Sequence, residues 1–181
     1  MSYRQMQLRL TGSGGQGVIL ASVILAEAAV MANKYTAQSQ SYGPEARGGS
    51  CKAECIVSDL PISFTKVTSP TFLLALTQKA LDEYAKGLPK EATVVIDEDL
   101  VPPDCLLNNR VVSLPILRTA REKIGKAFTA NIVAVGVINS ILDIVPPDKI
   151  ERAVLMHVPA GSEAINTAAL RAGEELAKSF T

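Results

Sequence analysis

A short strand, a glycine-rich loop and a helix apolar on nearly every side open this chain, and together they constrain the fold most. Met6-Gln-Leu-Arg-Leu-Thr11 alternates apolar and polar residues, the pattern of a strand with two unlike faces. Gly12-Ser-Gly-Gly-Gln-Gly17 follows, and then a segment from Val18 to Ala32 whose one charged residue is Glu27. A helix of that composition has almost no polar stripe to give to solvent, so it needs cover on more than one side. Composition says what the cover is made of. Hydrophobic residues are 48% of the chain, but aromatics are 4% and Trp is absent. A core of Ala, Val, Ile and Leu suits helices layered on a parallel sheet.

The rest of the chain supplies the strands for that sheet. Tyr35 to Gln40 and Cys51 to Val57 read as strands, as do Phe72-Leu-Leu-Ala-Leu76, Thr93 to Asp97 and Arg110 to Leu114. Between them, Gln78 to Lys86 reads as an amphipathic helix stopped by Gly87 and Pro89. From Ile116 the chain turns helical. Thr129 is placed to cap a helix running to Val145, Pro146-Pro147 break it, and Asp148 to His157 form another. Pro159-Ala-Gly161 end that one, and Ser162 is placed to cap the last. No repeat, low-complexity tract or linker interrupts residues 1–181. The expectation is one α/β domain: a Rossmann-like, mostly parallel sheet flanked by helices, with a helical C-terminal third.

Charge and cysteine usage remove several function classes. Eighteen basic residues balance eighteen acidic ones for a net charge of zero, which argues against nucleic acid or an anionic membrane as partner. A mean hydropathy of +0.21 at that charge suits a chain that buries surface against other subunits. Arg4 and Arg9 ahead of an apolar run imitate an export signal, but the glycine loop separates charges from run and Glu27 interrupts it. The run is also too short to span a bilayer. A cytoplasmic location is expected. The three cysteines, Cys51, Cys55 and Cys105, suit a reducing compartment and fall short of the four thiolates of an iron–sulfur cluster. Cys51 and Cys55 fall on one face of their strand, as two half-buried thiols. His157 stands alone, without an acid or Cys beside it, and reads as structural.

Two glycine-rich segments carry the recognition chemistry. Strand, Gly12-x-Gly14-x-x-Gly17 and helix formally match the dinucleotide fingerprint. That fingerprint needs an acid roughly 20 residues on, yet no Asp or Glu occurs between Glu27 and Glu45. A Walker A loop fails too, because Val18-Ile19 stand where Lys and Ser/Thr belong. What remains is a neutral anion nest at Gly14, Gly15, Gln16 and Gly17, or a ligand-free tight turn. The second segment, Tyr42-Gly43-Pro44-Glu45-Ala46-Arg47-Gly48-Gly49, pairs glycine freedom with a fixed proline and with Arg47, a planar fork suited to carboxylate or phosphate. It reads as a loop pressed against a partner subunit, or as a surface turn with an internal Glu45–Arg47 pair. Neither segment holds a Ser-His-acid set or metal-ligand spacing, so no catalytic or metal residue is assigned.

Five stretches carry a family resemblance: Gly12-Ser-Gly-Gly-Gln-Gly17 with its Ala-rich helix, Gln40-Ser-Tyr-Gly-Pro-Glu-Ala-Arg-Gly-Gly49, Ile96-Asp97, Asn131 to Gly136, and Asn166, Ala169 and Gly173 of the last helix. Through them the chain resembles, over essentially its full length, the gamma subunit of 2-oxoacid:ferredoxin oxidoreductases. The Ser-Tyr-Gly-Pro-Glu-Ala-Arg-Gly-Gly form is more similar to the 2-oxoglutarate branch than to the pyruvate branch, whose version is closer to Phe-Gly-Pro-Glu-Arg-Arg-Gly-Ala. The small subunit of the indolepyruvate enzyme belongs to the same superfamily. Pro70-Thr71 departs from the usual Pro-Asp.

The resemblance implies a reaction that the residues alone do not. A 2-oxoacid is decarboxylated on thiamine diphosphate with Mg, electrons pass through iron–sulfur clusters to ferredoxin, and the acyl group goes to coenzyme A. It implies a hetero-oligomer with alpha, beta and ferredoxin-like delta subunits, in which this chain holds no cofactor alone and is inactive alone. Gly14, Gly15, Gln16, Gly17 and Arg47 are then expected toward an anion or coenzyme A. Tyr42, Gly43, Pro44, Glu45, Arg47, Gly48 and Gly49 are expected at the inter-subunit face. The competing readings are a stand-alone nucleotide-binding module and a pyruvate- or indolepyruvate-specific homologue.

Overall fold

Alternation along the first strand decides which layer lies on which side of the sheet. The computed structural model describes residues 4–42, 49–102 and 108–179. In β1 (Gln5–Ser13), Leu8 and Leu10 are fully buried on one face, while Gln7, Arg9 and Thr11 point to the other. The glycine loop then leads into α1 (Val18–Met31), β2 (Tyr35–Tyr42) and β3 (Ser50–Ser58). Next come β4 (Phe72–Ala75), α2 (Gln78–Tyr84), β5 (Thr93–Asp97) and β6 (Arg110–Leu114). A single turn, α3 (Ile116–Arg118), continues as a π-helical turn, Thr119–Lys123, and α4 (Ala130–Leu142), α5 (Pro147–His157) and α6 (Glu163–Lys178) complete the order.

All six strands form one sheet in the order β2-β3-β1-β4-β5-β6. β1, β4, β5 and β6 pair in parallel, whereas β3 is antiparallel to both of its neighbours, β1 and β2. Only β3 therefore runs against the common direction, and the expected mostly parallel sheet is found. Leu8, Leu10, Phe72, Leu74, Val95 and Val112 pack with α1, α4, α5 and α6 in the larger core. Leu73, Ala75, Val94 and Ile96 pack with Leu81 of α2 and Val101 in a smaller one. Consecutive residues of β4 and β5 thus enter opposite cores. A strand buried on both faces reads as a continuous apolar run, which is why Phe72 to Leu76 has no polar residue.

α1 receives its cover from the sheet and from α4 and α5, on more than one side as expected. Val18, Ala21, Ser22, Ile24, Leu25, Ala26, Ala28 and Ala29 are buried against the sheet and the neighbouring helices. Ile19, Leu20, Val23 and Met31 stay half-buried, and Val30 is 56% exposed.

Two caps expected from sequence are not made. Thr129 Oγ1 donates to the Lys126 carbonyl at 2.8 Å, and Ser162 Oγ donates to the Pro159 carbonyl at 2.6 Å. Each hydroxyl closes the turn before its helix, and neither accepts from a backbone N–H of that helix, although Ser162 Oγ accepts from the Asn166 side chain at 3.1 Å. Thr77 does cap α2, its hydroxyl accepting from Ala80 N at 3.3 Å. Asn139, buried near the end of α4, clamps the exit. Its Nδ2 donates to the Val145 carbonyl and its Oδ1 accepts from Val145 N, both at 3.1 Å.

α4 and α6 cross glycine on glycine. A Cβ at Gly136 would overlap the Leu170 carbonyl oxygen and lie 3.1 Å from the Gly173 Cα, while one at Gly173 would overlap the Val133 carbonyl. These obstacles are backbone atoms, which cannot rotate away. Gly136→Ala is therefore expected to cost about 2–3 kcal/mol, the upper part of the range for overpacked cores. Urea unfolding measures it, and a variant as stable as the parent would show that the crossing is looser than described.

Candidate functional site

The sheet brings the two glycine-rich segments together at its carboxyl edge. β1 ends at Ser13, which pairs with Ser50 at the start of β3, and Gly12 pairs with Cys51. Tyr42, the end of β2, pairs with the same Cys51 from the other side. Gly14 N donates to the Gly49 carbonyl at 3.4 Å, a direct link between the segments. This edge also lies where the chain order changes direction, since β1 is followed by strands on its left and β4 returns on its right. Ligand crevices of open α/β sheets form outside the strand ends at such a point.

Within the first loop each position has its own job. Gln16 Oε1 accepts from Ser13 N at 2.7 Å and Gln16 N donates to the Ser13 carbonyl at 3.2 Å, which closes the turn. A Cβ at Gly12 would collide with that Gln16 oxygen. Gly17 is the N-cap of α1 with φ 73°, a left-handed conformation that suits glycine, and it has no side chain to cap the helix. A Cβ there would lie 2.7 Å from Nδ2 and 2.9 Å from Cβ of Asn131, on α4. Gly14 and Gly15 are the opposite case. Both are exposed, and a Cβ at either meets nothing within 4 Å. The first N–H groups of α1 point into the same space, without intrahelical partners and without an acid in the first turn.

A cleft of about 440 Å³ opens there, lined by Ser13, Gly14, Gly15, Gly17, Val18, Ile19, Leu20, Val23 and Cys51. One wall is thus backbone N–H and glycine, and the other is aliphatic. A second cavity of about 190 Å³ shares Leu20 with it and is walled by Phe128, Asn131, His157 and Asn166, among others. Asn166 Nδ2 donates to the Ser162 carbonyl at 2.9 Å, and His157 Nδ1 lies 3.0 Å from the Ala153 carbonyl. His157 therefore finishes the last turn of α5, in keeping with a structural part.

The same topology weakens the dinucleotide reading beyond the missing acid. In the nucleotide fold the second strand lies beside the first and delivers the ribose-binding acid. Here β3 separates β1 from β2, which moves the end of β2 two strand spacings, about 9.5 Å, away.

Of the residues singled out in the sequence, Gly14, Gly15 and Gly17 line the cleft, while Gln16 closes the turn and is not part of its lining. Gly49 and the backbone of Tyr42 lie beside it. Gly43, Pro44, Glu45, Arg47 and Gly48 fall outside the described residues, as does Cys105. Cys51 and Cys55 are free and buried, more deeply than half-buried thiols. Burial pushes the Cys51 thiol up and that of Cys55 up to about 12. Among the described residues no group of three His, Cys, Asp or Glu could hold a metal ion. None of their helices is long and apolar enough to cross a membrane.

Two polar constructions at or beneath this edge were not read from the sequence, where Asp97 figured only in the Ile96-Asp97 of the resemblance. Arg9 Nε donates to Glu54 Oε1 at 2.8 Å and its Nη1 to the Tyr84 carbonyl at 3.4 Å. Lys52 Nζ stands 3.4 Å from the same carboxylate oxygen and 5.8 Å from the centre of the Tyr84 ring. Partial burial and the Glu83 carboxylate push the Tyr84 hydroxyl up to about 12. The other construction is Asp97, fully buried at the end of β5. Its Oδ1 accepts from Asp99 N at 3.1 Å and Leu100 N at 3.2 Å, and its Oδ2 from Leu117 N at 2.8 Å. One carboxylate thereby ties β5 to both the next turn and α3. Desolvation still outweighs these bonds and raises its pKa. The Arg9–Glu54–Lys52 group and the Asp97–Leu117 bond join residues far apart in the chain, and such pairs leave no local pattern to read.

Comparison with known proteins adds relatives to this geometry. A sequence profile of the family described as pyruvate ferredoxin/flavodoxin oxidoreductase matches residues 7–176. The 2-oxoglutarate synthase subunit KorC of Methanocaldococcus jannaschii is 43% identical over 175 residues, 95% of this chain and 94% of the relative. The gamma subunit of a keto/oxoacid ferredoxin oxidoreductase from Geobacter sulfurreducens is similar with TM-score 0.86 at 40% identity, over 96% of this chain and 99% of that one. A 2-oxoglutarate:ferredoxin oxidoreductase from Magnetococcus marinus, solved with 2-oxoglutarate, coenzyme A and succinyl-CoA bound, has the same fold at TM-score 0.87 and 20% identity. That likeness covers 98% of this chain and 32% of the longer one.

Gly17→Ala is expected to cost about 2–4 kcal/mol, the sum of a left-handed backbone and a clash with Asn131. In an Asn131→Ala background the contacts with Nδ2 and Cγ are gone while that with Cβ stays, so the loss should fall toward the backbone part of about 1–2 kcal/mol without reaching it. Equal losses in the two backgrounds would mean that the glycine and the asparagine do not touch. Asp97 sets a pH dependence. Because its folded pKa is raised, the stability it contributes is fully present below the ordinary carboxylate range and is lost as pH rises through the folded value. The stability difference between the parent and Asp97→Asn should therefore shrink from acid toward neutral pH. A difference that grows over that range would reverse the sign of the shift.

Proposed function

The chain belongs to the pyruvate ferredoxin/flavodoxin oxidoreductase family, and from that premise we propose that it is the gamma subunit of a 2-oxoacid:ferredoxin oxidoreductase acting on 2-oxoglutarate. Identity of 43% to a 2-oxoglutarate synthase subunit along nearly the whole of both chains carries this reading. The reaction is oxidative decarboxylation of the oxoacid to its acyl-CoA, with ferredoxin as electron acceptor. Thiamine diphosphate supplies the carbanion stabilisation for such decarboxylation when bound. Three cysteines in the chain cannot ligate a cluster that needs four thiolates. We therefore place thiamine diphosphate, its Mg and the clusters on alpha, beta and delta subunits, and route no step through this chain's own side chains.

What this chain contributes is binding and positioning. Gly14 and Gly15 leave open space that a long or charged side chain would fill, beside the first N–H groups of α1. Such a cradle fits a phosphate of coenzyme A, held by backbone donors with the helix dipole behind them. Gln16, its oxygen already bonded to Ser13 N, has its amide N–H₂ left to donate. The aliphatic wall of Ile19, Leu20 and Val23 would shield a pantetheine-like chain from water. The neighbouring segment from Tyr42 to Gly49, with Arg47, is assigned to the face against the other subunits, where Arg47 would add a charged fork to the same ligand. Expected absence of activity from the chain alone follows from this division.

Reconstitution with the other subunits, followed by coenzyme A-dependent ferredoxin reduction, tests the reading. 2-Oxoglutarate should give the highest kcat/KM among 2-oxoglutarate, pyruvate, 2-oxoisovalerate and indolepyruvate, and a higher value for another oxoacid would overturn the substrate assignment. Gly14→Asp puts a carboxylate into the proposed phosphate cradle. It should raise the KM for coenzyme A about tenfold, ~1.4 kcal/mol of binding, and leave the oxoacid KM alone. Gly14→Ala, whose methyl meets nothing, serves as the control. An unchanged coenzyme A KM in Gly14→Asp would remove the cradle from coenzyme A binding.

A further inference from the structure

The cavity of about 190 Å³ shares only Leu20 with the glycine cleft, and three side chains around it keep a hydrogen-bonding group unused. Asn131, in the first turn of α4, turns its Oδ1 back to Ile132 N at 3.0 Å, and its Nδ2 donates to nothing among the described residues. Asn166, in the first turn of α6, is the reverse case. Its Nδ2 donates to the Ser162 carbonyl at 2.9 Å and to Ser162 Oγ at 3.1 Å, and its Oδ1 has no partner among the described residues. Both asparagines are more than nine-tenths buried, at 7% and 4% exposure. His157 Nδ1 lies 3.0 Å from the Ala153 carbonyl, which can only accept, so in the neutral ring Nε2 is left as an acceptor.

These groups determine what fits. A buried amide half without a partner is costly unless a ligand or water takes it. One donor and two acceptors call for a ligand with an acceptor beside an amino group, whose two hydrogens serve Asn166 and His157. No Asp, Glu, Lys or Arg lines the cavity, so it offers nothing to balance a carboxylate, a phosphate or an ammonium group. It is smaller than the ~300–1,000 Å³ of sites that hold a whole drug-sized ligand, and suits a single ring system. Phe128 lines it yet stays 68% exposed, leaving an aromatic face for a flat partner. Water alone would satisfy the amides and leave that face bare.

We propose that this cavity receives an adenine ring, its amino group donating to Asn166 Oδ1 and a ring nitrogen accepting from Asn131 Nδ2, with Phe128 against its face. In nucleic acids an asparagine amide reads the same pair of adenine groups; here two asparagines divide the task. Hypoxanthine, with a carbonyl in place of the amino group, would set acceptor against acceptor. The site adjoins the glycine loop. A Cβ at Gly17, the N-cap of α1, would lie 2.7 Å from Asn131 Nδ2, and Leu20 stands two residues, about 3 Å of helix rise, beyond Val18. A ring past Leu20 and a phosphate at Gly14 and Gly15 are therefore close enough to belong to one molecule. For coenzyme A this sends the adenine into the cavity and the pantetheine along Ile19 and Val23. That direction rests on the coenzyme A reading above, whereas the adenine site does not.

Calorimetry on the reconstituted complex compares coenzyme A with its deaminated analogue, which carries hypoxanthine, and AMP with IMP. Deaminated coenzyme A should bind with a Kd about tenfold above that of coenzyme A. Phe128→Ala, at an exposed position that the fold does not need, should raise the coenzyme A Kd several-fold and leave that of phosphopantetheine, which has no adenine, unchanged. If coenzyme A and its analogue bind alike while AMP binds about tenfold more tightly than IMP, and Phe128→Ala weakens AMP, the site stands and its ring comes from a free nucleotide. No preference for the amino group in either pair overturns the proposal. A preference with every Kd indifferent to Phe128→Ala overturns it too, because the ring would then lie elsewhere. Failure of the Gly14→Asp prediction would remove the phosphate cradle and leave these outcomes as they are.

Discussion

Nine residues of β1 lie in antiparallel register with nine of β3, from Gln5 opposite Ser58 to Ser13 opposite Ser50. The carboxyl edge depends on this ladder. It carries the chain back from the second glycine segment to the foot of the first, so that Gly14 and Gly49 share a hydrogen bond although 35 residues separate them in the chain (49 less 14). It also inserts a strand where a dinucleotide fold would have its second parallel strand. One reversed strand thus removes the nucleotide geometry and leaves, from the same glycine fingerprint, a cleft between the first loop, α1 and Cys51 of β3.

Close backbone approach holds the other side of that cleft in place. Gly17 admits Asn131 of α4 against the first turn of α1, and Gly136 and Gly173 let α4 and α6 touch along their backbones. The helical C-terminal third is therefore tied to the loop through contacts that no larger residue permits. Asp97 performs the matching task at the far side, where one buried carboxylate serves three backbone donors. Its cost is desolvation, visible in its raised pKa.

The strands were legible in the sequence nearly to the residue. Thr93 to Asp97 and Arg110 to Leu114 are the bounds found for β5 and β6, because apolar runs between turn residues admit few alternatives. The helices beyond Ile116 were legible as helices, and α4 and α6 start directly after Thr129 and Ser162 as expected, but how those starts are bonded was not legible. Thr129 and Ser162 have the right chemistry for caps, yet each hydroxyl finds a carbonyl in the preceding turn. Local sequence cannot rank those two bonds. Of the site, the glycine loop was legible as a tight strand-to-helix turn, and the family as that of the oxidoreductase gamma subunits, which the profile match and the relatives bear out. The Arg9–Glu54–Lys52 group and the packing of Asn131 on Gly17 were not, since each joins residues far apart in the chain.

By itself the sequence determined an α/β layer, two glycine loops without an acid to make a nucleotide site, and a helix with more apolar surface than one neighbour can hide. Periodicity and residue type are local properties, and these conclusions need nothing more. Only the tertiary structure decided that β3 runs backwards between β1 and β2, that the loops meet, and that the sheet, α4 and α5 are what cover α1. Strand order and direction are set by which pairings bury the most surface across long separations, and no window of sequence contains both partners of such a pairing.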